Sequence, residues 1–237
     1  MAFNAERWPK KPLLLGAAAL LLLVIVDLRV DHRHLFWRAL DPNAQAGAGT
    51  YIKLLSLNVR PNQHCLSLLA DVSAIDFAIA DTFRTDEGCG WDSATKLKSS
   101  HGVSISKRGS EMRCPMTLAA HIWLGELNTL AVKTLGSSLK AVTHAGTYNC
   151  RRQNHNPNSS WSQHAYANAW DILGFQLKDG SQISVLKDWG KNNAKGNFLR
   201  KANTAACQIF GVVLGPDYNA AHRDHFHLDL GFGDMCS

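Results

Sequence analysis

The chain has 237 residues, 46% of them hydrophobic, and a formal net charge of +6. That is long enough for one sizeable core with accessory segments, and too apolar for an unfolded chain. The basic balance suits an acidic partner, but no Lys/Arg run exceeds two residues and no nucleic-acid motif is present. This leaves attraction to an anionic surface, lipid or wall polymer, as the reading, with no nucleic acid expected.

In chain order, the first feature is Leu13–Val26, fourteen apolar residues behind Arg7, Lys10 and Lys11. The run is short for a full span and suited to the apolar region of an export signal. No small-residue cleavage site follows closely: Asp27–Asp31 has the wrong chemistry, and Ala44-x-Ala46 sits too far downstream. The expectation is an uncleaved signal anchor over residues 1–30, a single pass of the inner membrane with its flanks reaching the interfaces. Basic residues balance on its two sides, so charge does not set its orientation. Residues 31–53, with the Ala/Gly-rich stretch 41–51, read as a juxtamembrane linker, and 54–237 as the exported domain.

Six well-spread cysteines, Cys65, Cys89, Cys114, Cys150, Cys207 and Cys236, form no C-x-x-C pair. An even number on an exported chain fits disulfides in an oxidising compartment such as the periplasm. Fifteen connectivities are open, and Cys65–Cys89, the shortest loop at the start, is the weak preference. A short helix is expected over 63–70 and a strand over 75–80, with weak alternation across 96–107. The clearest helix is Pro115–Leu135. Its apolar stripe includes Leu118, Ile122, Trp123, Leu127 and Leu130, with Pro115 in the first turn and Gly136 as the stop. A strand over 140–145, a hairpin of 170–177 with 183–186, and a second helix over 197–210 follow. The pattern is α+β: one antiparallel sheet with helices packed on it.

Two stretches carry chemistry. From His225 the sequence HFHLDL alternates, so His225, His227 and Asp229 share one strand face and Phe226, Leu228 and Leu230 the other. Upstream, His164 and Asp171 lie seven residues apart, Asp171 within the strand-like run 169–177. Zinc in a hydrolytic site takes three N/O ligands and keeps one position open. His164, Asp171 and one histidine of 221–230 make such a set, and the single carboxylate keeps the net charge low.

Ser162-x-His164-x6-Asp171 with a distant His225-x-His227 resembles the zinc D-alanyl-D-alanine peptidases of the Hedgehog/DD-peptidase fold. Residues 65–236 resemble the bacterial extensin-like C-terminal domain family more closely. The shared marks are Gly88-Cys89-Gly90, Cys114-Pro115, Gly146-Thr147-Tyr148-x-Cys150-Arg151, Ala169-x-Asp171-Ile172, and Gly215-Pro216-Asp217-Tyr218-Asn219 running into His222-x-x-His225-x-His227. One departure is Ala167, where such peptidases usually carry glycine.

The resemblance implies His164, Asp171 and His227 as zinc ligands and peptidoglycan as the substrate. His225 is the first choice of base, and Asp224, three residues before the last ligand, is its competitor. Arg151 matches an arginine near the substrate carbonyl, although Arg152 is an equal candidate from the sequence. Ser162, His222, Asp229 and Tyr148 are candidates for substrate binding or for orienting a ligand. Two classes of function stand: a membrane-anchored periplasmic zinc peptidase of carboxypeptidase or endopeptidase type, and a non-catalytic wall- or metal-binding module on the same fold. A metal nuclease has no supporting motif. The sequence leaves the oligomeric state open.

Overall fold

The computed structural model describes residues 10–60, 62–105 and 110–237. Arg7, the first basic residue of the N-terminal flank, and residues 106–107 at the end of the weakly alternating stretch lie outside them. The chain opens with helix α1 (Lys10–Arg29). Among the described residues no helix is long and apolar enough to cross a membrane.

The stretch read as a linker does not hang free. After a 3-10 turn at His32–His34 it leads into α2 (Thr50–Asn58), and Ala46, Thr50 and Lys53 are buried. Lys53 Nζ donates to the His32 carbonyl at 2.6 Å, and the Ala46 amide donates to Glu126 at 2.6 Å. An Ala/Gly-rich composition admits close packing as readily as flexibility, and here small side chains let the backbone lie against its neighbours.

Next come α3 (Asn62–Ala70), β1 (Ile75–Ala80), the two-residue strands β2 (Phe83–Arg84) and β3 (Gly90–Trp91), β4 (Ala94–Ser100), β5 (Val103–Ile105) and β6 (Glu111–Met112). Helix α4 (Cys114–Leu135) carries Pro115 in its first turn and ends at Gly136, whose left-handed φ of 73° suits a residue without Cβ. Then follow β7 (Leu139–Gly146), β8 (Ala169–Leu177), β9 (Gln182–Ser184), α5 (Val185–Asp188), α6 (Ala194–Ala206), β10 (Val212–Leu214), β11 (Phe226–Asp229) and β12 (Met235–Cys236). The strand expected over 183–186 stops at Ser184 because that side chain caps α5, accepting from the Lys187 amide.

The main sheet runs β1-β4-β5-β7-β8-β11-β10-β12, with β6 beside β4 and β9 beside β8. The expectation of one antiparallel sheet is corrected in two ways. The pairs β5/β7 and β10/β12 are parallel, and β2 with β3 forms a separate small sheet. A parallel pair needs a long crossover, which α4 supplies between β5 and β7. The C-terminal strand β12 returns beside β10, where Cys207–Cys236 fastens it.

Trp123 of α4 is fully buried and meets Trp170, Phe175 and Phe210 at ring distances of 6.3, 6.0 and 6.2 Å. Its indole N–H donates to the Ala202 carbonyl of α6. The helices therefore cover the sheet face that carries Trp170 and Phe175, which share it because the β7/β8 register shifts between Ile172 and Gly174. Alternation puts the neighbouring Asp171 on the opposite face.

The preferred Cys65–Cys89 pairing is overturned: the disulfides are Cys65–Cys114, Cys89–Cys150 and Cys207–Cys236. Chain proximity is not the criterion, since packing of α3 on α4 brings Cys65 to Cys114 across 49 residues.

Candidate metal centre

Strands β8 and β11 are sheet neighbours, and their register sets His227 directly opposite Asp171. On either side, Phe226 pairs with Ile172 and Leu228 with Trp170, all four fully buried. The apolar pairs pull their face into the core, and period 2 then presents His227 and Asp171 together on the other face.

His164 comes from a 3-10 turn, Gln163–Tyr166, that precedes β8. Ser162 caps it, its hydroxyl accepting from the His164 amide at 3.3 Å. Ala167 closes it in the left-handed region at φ 51°, ψ 34°. Glycine adopts that conformation freely and alanine pays roughly 1–2 kcal/mol, so the departure at this position carries a local backbone cost.

Three acceptor atoms converge. His164 Nε2 lies 3.1 Å from Asp171 Oδ1 and 3.1 Å from His227 Nδ1, and His227 Nδ1 lies 3.0 Å from Asp171 Oδ1. Each imidazole is fixed from its far side. His164 Nδ1 donates to the Thr147 carbonyl at 3.1 Å, and His227 Nε2 donates to Asp229 Oδ2 at 3.0 Å. Asp229 is held in turn by the Gly231 amide on its other oxygen at 2.8 Å. With the outward nitrogens carrying protons, the inward nitrogens present lone pairs to one point beside a carboxylate oxygen. Such a set could hold a cation at its centre.

Burial pushes the His227 imidazole down, but hydrogen bonds and charges from Asp171 and Asp229 outweigh it and raise the group to about 9. Burial likewise pushes Asp171 up, and His164 and His227 overcome it, holding the carboxyl well below the usual range. Two histidines and one carboxylate, with carbonyl and carboxylate partners behind them, fit a zinc ion in both donor type and charge. A second cluster, Glu87 with Cys89 and Cys150, offers no thiolate because its cysteines are bonded to each other.

The remaining candidates fall around this trio unevenly. His225 Nδ1 donates to Asp224 Oδ1 at 2.9 Å, and its Nε2 lies 3.7 Å from Asp171 Oδ1, facing the trio without bonding to it. Asp224 therefore addresses His225 and not the trio, and its side chain is 47% exposed. The His222 ring sits 5.1 Å from that of His225 and 6.0 Å from that of His227. Burial first, then the charges of His225 and His227, push His222 down to about 4. Its Nδ1 donates to Asn219 Oδ1 at 2.8 Å.

The two arginines are sorted by their contacts. Arg152 lies 4.0 Å over the Trp161 ring and donates to the Ser159 carbonyl. Arg151 has no side-chain hydrogen bond or ion pair among the described residues, and its charge bears on His222. Tyr148 is placed elsewhere: its ring packs edge-on against Phe83 at 5.4 Å and Trp91 at 5.2 Å, over the small sheet. The Thr147 carbonyl and Asn219 are partners that the sequence reading did not single out. A backbone carbonyl leaves no mark in side-chain chemistry, whereas the Gly146-Thr147 motif and the Asn219 of its own motif were at least in view.

Fold and site together define an α+β domain with a cluster of two histidines and one carboxylate, built across two neighbouring strands and a preceding turn, that could hold a metal ion. Residues 63–237 match the family described as extensin-like protein C-terminus, and the chain belongs to that family. No curated protein and no solved structure matches it.

Proposed function

We propose that this domain is a zinc-dependent peptidase that acts on peptidoglycan peptides, at bonds next to a D-amino acid, in the periplasm. The observation that carries the reading is the convergence of His164 Nε2, Asp171 Oδ1 and His227 Nδ1 within 3.1 Å of one another, with both imidazoles oriented from behind. Zinc held by such a set supplies Lewis-acid chemistry, polarising a carbonyl and acidifying water to near neutral pKa.

The chain's own residues complete the chemistry. His225 Nε2 is free to take a proton from the attacking water and return it to the leaving amine. Asp224 keeps the proton on Nδ1, so the nitrogen facing the trio is the basic one. Arg151, with no side-chain partner among the described residues, offers a guanidinium to the substrate carbonyl as negative charge develops on it. Asp171 and His225 keep 18% and 17% of their side-chain surface exposed, against 3% for His164, so the trio opens on their side. A net positive chain suits an anionic wall polymer. Membrane attachment through residues 13–26 belongs to the same reading. The apolar side chains from Leu14 to Leu23 that α1 exposes support it, as does the export implied by three disulfides.

A second reading, a non-catalytic metal- or wall-binding module, is favoured by Asp224, whose carboxylate is turned to His225 and away from the trio. One experiment separates the two. The full chain in detergent, zinc-loaded, is incubated with purified peptidoglycan fragments beside His227→Ala, and products are weighed by mass spectrometry. Loss of a D-alanine or of a cross-link, absent with His227→Ala, identifies a peptidase and its bond. Intact fragments from a chain that holds one zinc would sink the hydrolase reading and leave the module.

A further inference from the structure

We propose that the domain carries a second membrane contact besides α1: a groove between the 36–40 turn and helices α2 and α3 that seats the headgroup of an anionic phospholipid. The inference rests on the membrane reading above only in placing α1 beside a bilayer, and it requires no span.

The groove has a volume of about 510 Å³. Its walls combine exposed aromatic and aliphatic side chains, Phe36, Trp37 and Ile52, with the basic residues Arg38, Lys53 and Arg60. No carboxylate lines it among the described residues. Phe36 is 62% exposed and Trp37 46%, their rings edge-to-face at 5.0 Å. A tryptophan left exposed outside a core is suited to the level of lipid headgroups.

Charge completes the match. Arg38 is paired with Asp27, and Lys53 donates to a backbone carbonyl. Arg60 has no ion-pair partner among the described residues, so the groove keeps unanswered positive charge. A phosphate has the charge and the acceptor oxygens that a guanidinium recognises, and the glycerol and chain beneath it would meet Leu40 and Ile52.

Position ties the groove to α1. Asp27, in the last turns of that helix, accepts from Trp37 Nε1 at 3.0 Å and from Arg38 Nε at 2.6 Å. Two residues that form the groove wall thus clamp the apolar helix. A bilayer that receives the exposed leucines of α1 meets the 36–40 turn next. The lining joins apolar side chains with the unpaired charge of Arg60, a combination suited to an anionic interface.

The test uses the full chain with vesicles of phosphatidylcholine alone, or mixed with phosphatidylglycerol, each with a brominated-lipid version that quenches nearby tryptophan. Trp37→Phe supplies the Trp37 contribution by difference, and Arg60→Glu removes the headgroup charge. The proposal expects the chain to float with vesicles and Trp37 to be quenched in anionic membranes. It also expects that quenching to be lost in Arg60→Glu, with apparent binding to the groove weakened at least about fivefold. Flotation with both lipids but no Trp37 quenching overturns the groove and leaves α1 as the sole contact. Quenching equal in both lipids and untouched by Arg60→Glu overturns the headgroup assignment. Absence of flotation overturns the groove and the membrane reading together, whereas flotation on anionic vesicles alone, with Trp37 quenched, upholds the groove and removes the spanning anchor.

Discussion

At the scale of single residues, Asp229 and His121 show how buried polar groups act through their partners. Asp229 touches no substrate-facing atom of the trio; it holds the Nε2 proton of His227 and so decides which nitrogen points inward. Asp229→Asn puts a donor where an acceptor is needed, and zinc affinity measured by chelator competition is expected to fall about 10- to 100-fold with the fold intact. His121 is fully buried on α4, bonded to Ser100 Oγ at 2.9 Å and stacked on His101 at 4.3 Å. Burial, then the nearby His101, push it down to about 4, below its ordinary 6.5. The unfolded chain therefore binds this proton more readily. Stability is complete above about pH 6.5, is lost as the pH falls toward 4, and levels off below. The contribution at stake is on the order of 3 kcal/mol. Urea unfolding of wild type and His121→Gln at pH 7 and pH 4.5 checks it: the variant is expected to lose less stability on acidification.

At the scale of elements, two connections govern how the site is held. The Cys89–Cys150 disulfide joins the loop before β3 to the residue preceding Arg151. Closing a loop of 61 residues contributes about 4 kcal/mol in the chain-entropy view. Replacing both cysteines by serine is expected to lower the unfolding free energy by about 3–4 kcal/mol and to abolish the proposed peptide cleavage. The proposed zinc, one per chain by metal analysis, should remain, because the three residues proposed to hold it lie on β8, β11 and the turn before β8. The second connection is α4, which packs the sheet and carries the crossover. Trp123→Ala removes a fully buried ring and its bond to Ala202, and should cost about 3–5 kcal/mol by urea unfolding.

At the scale of the whole molecule, ligand binding and stability are linked through the trio. Zinc that binds only the folded chain stabilises it by about 2.7 kcal/mol when free metal stands 100-fold above its dissociation constant. The thermal midpoint is expected to rise with zinc and to stay unmoved in Asp171→Ala, and a chelator should reverse the rise. A midpoint insensitive to zinc in the wild type would count against the metal centre itself.

What the sequence determined by itself was local. Alternation in HFHLDL placed His227 on a strand face, because side-chain direction in a regular strand follows parity, and 169–177 was legible as the strand that carries Asp171. The stripe and end signals of 115–135 likewise specified α4 almost to the residue. Tertiary structure decided what depends on contacts between distant segments. It set the register that faces His227 with Asp171 and the tautomers fixed by Asp229 and the Thr147 carbonyl. It directed Asp224 to His225, separated Arg151 from Arg152, and moved Tyr148 into an aromatic trio. It also chose one cysteine pairing of fifteen, made two strand pairs parallel, and packed residues 31–53 against the domain. Each of these is settled by which surfaces meet when the helices cover the sheet, and sequence neighbours carry no record of that.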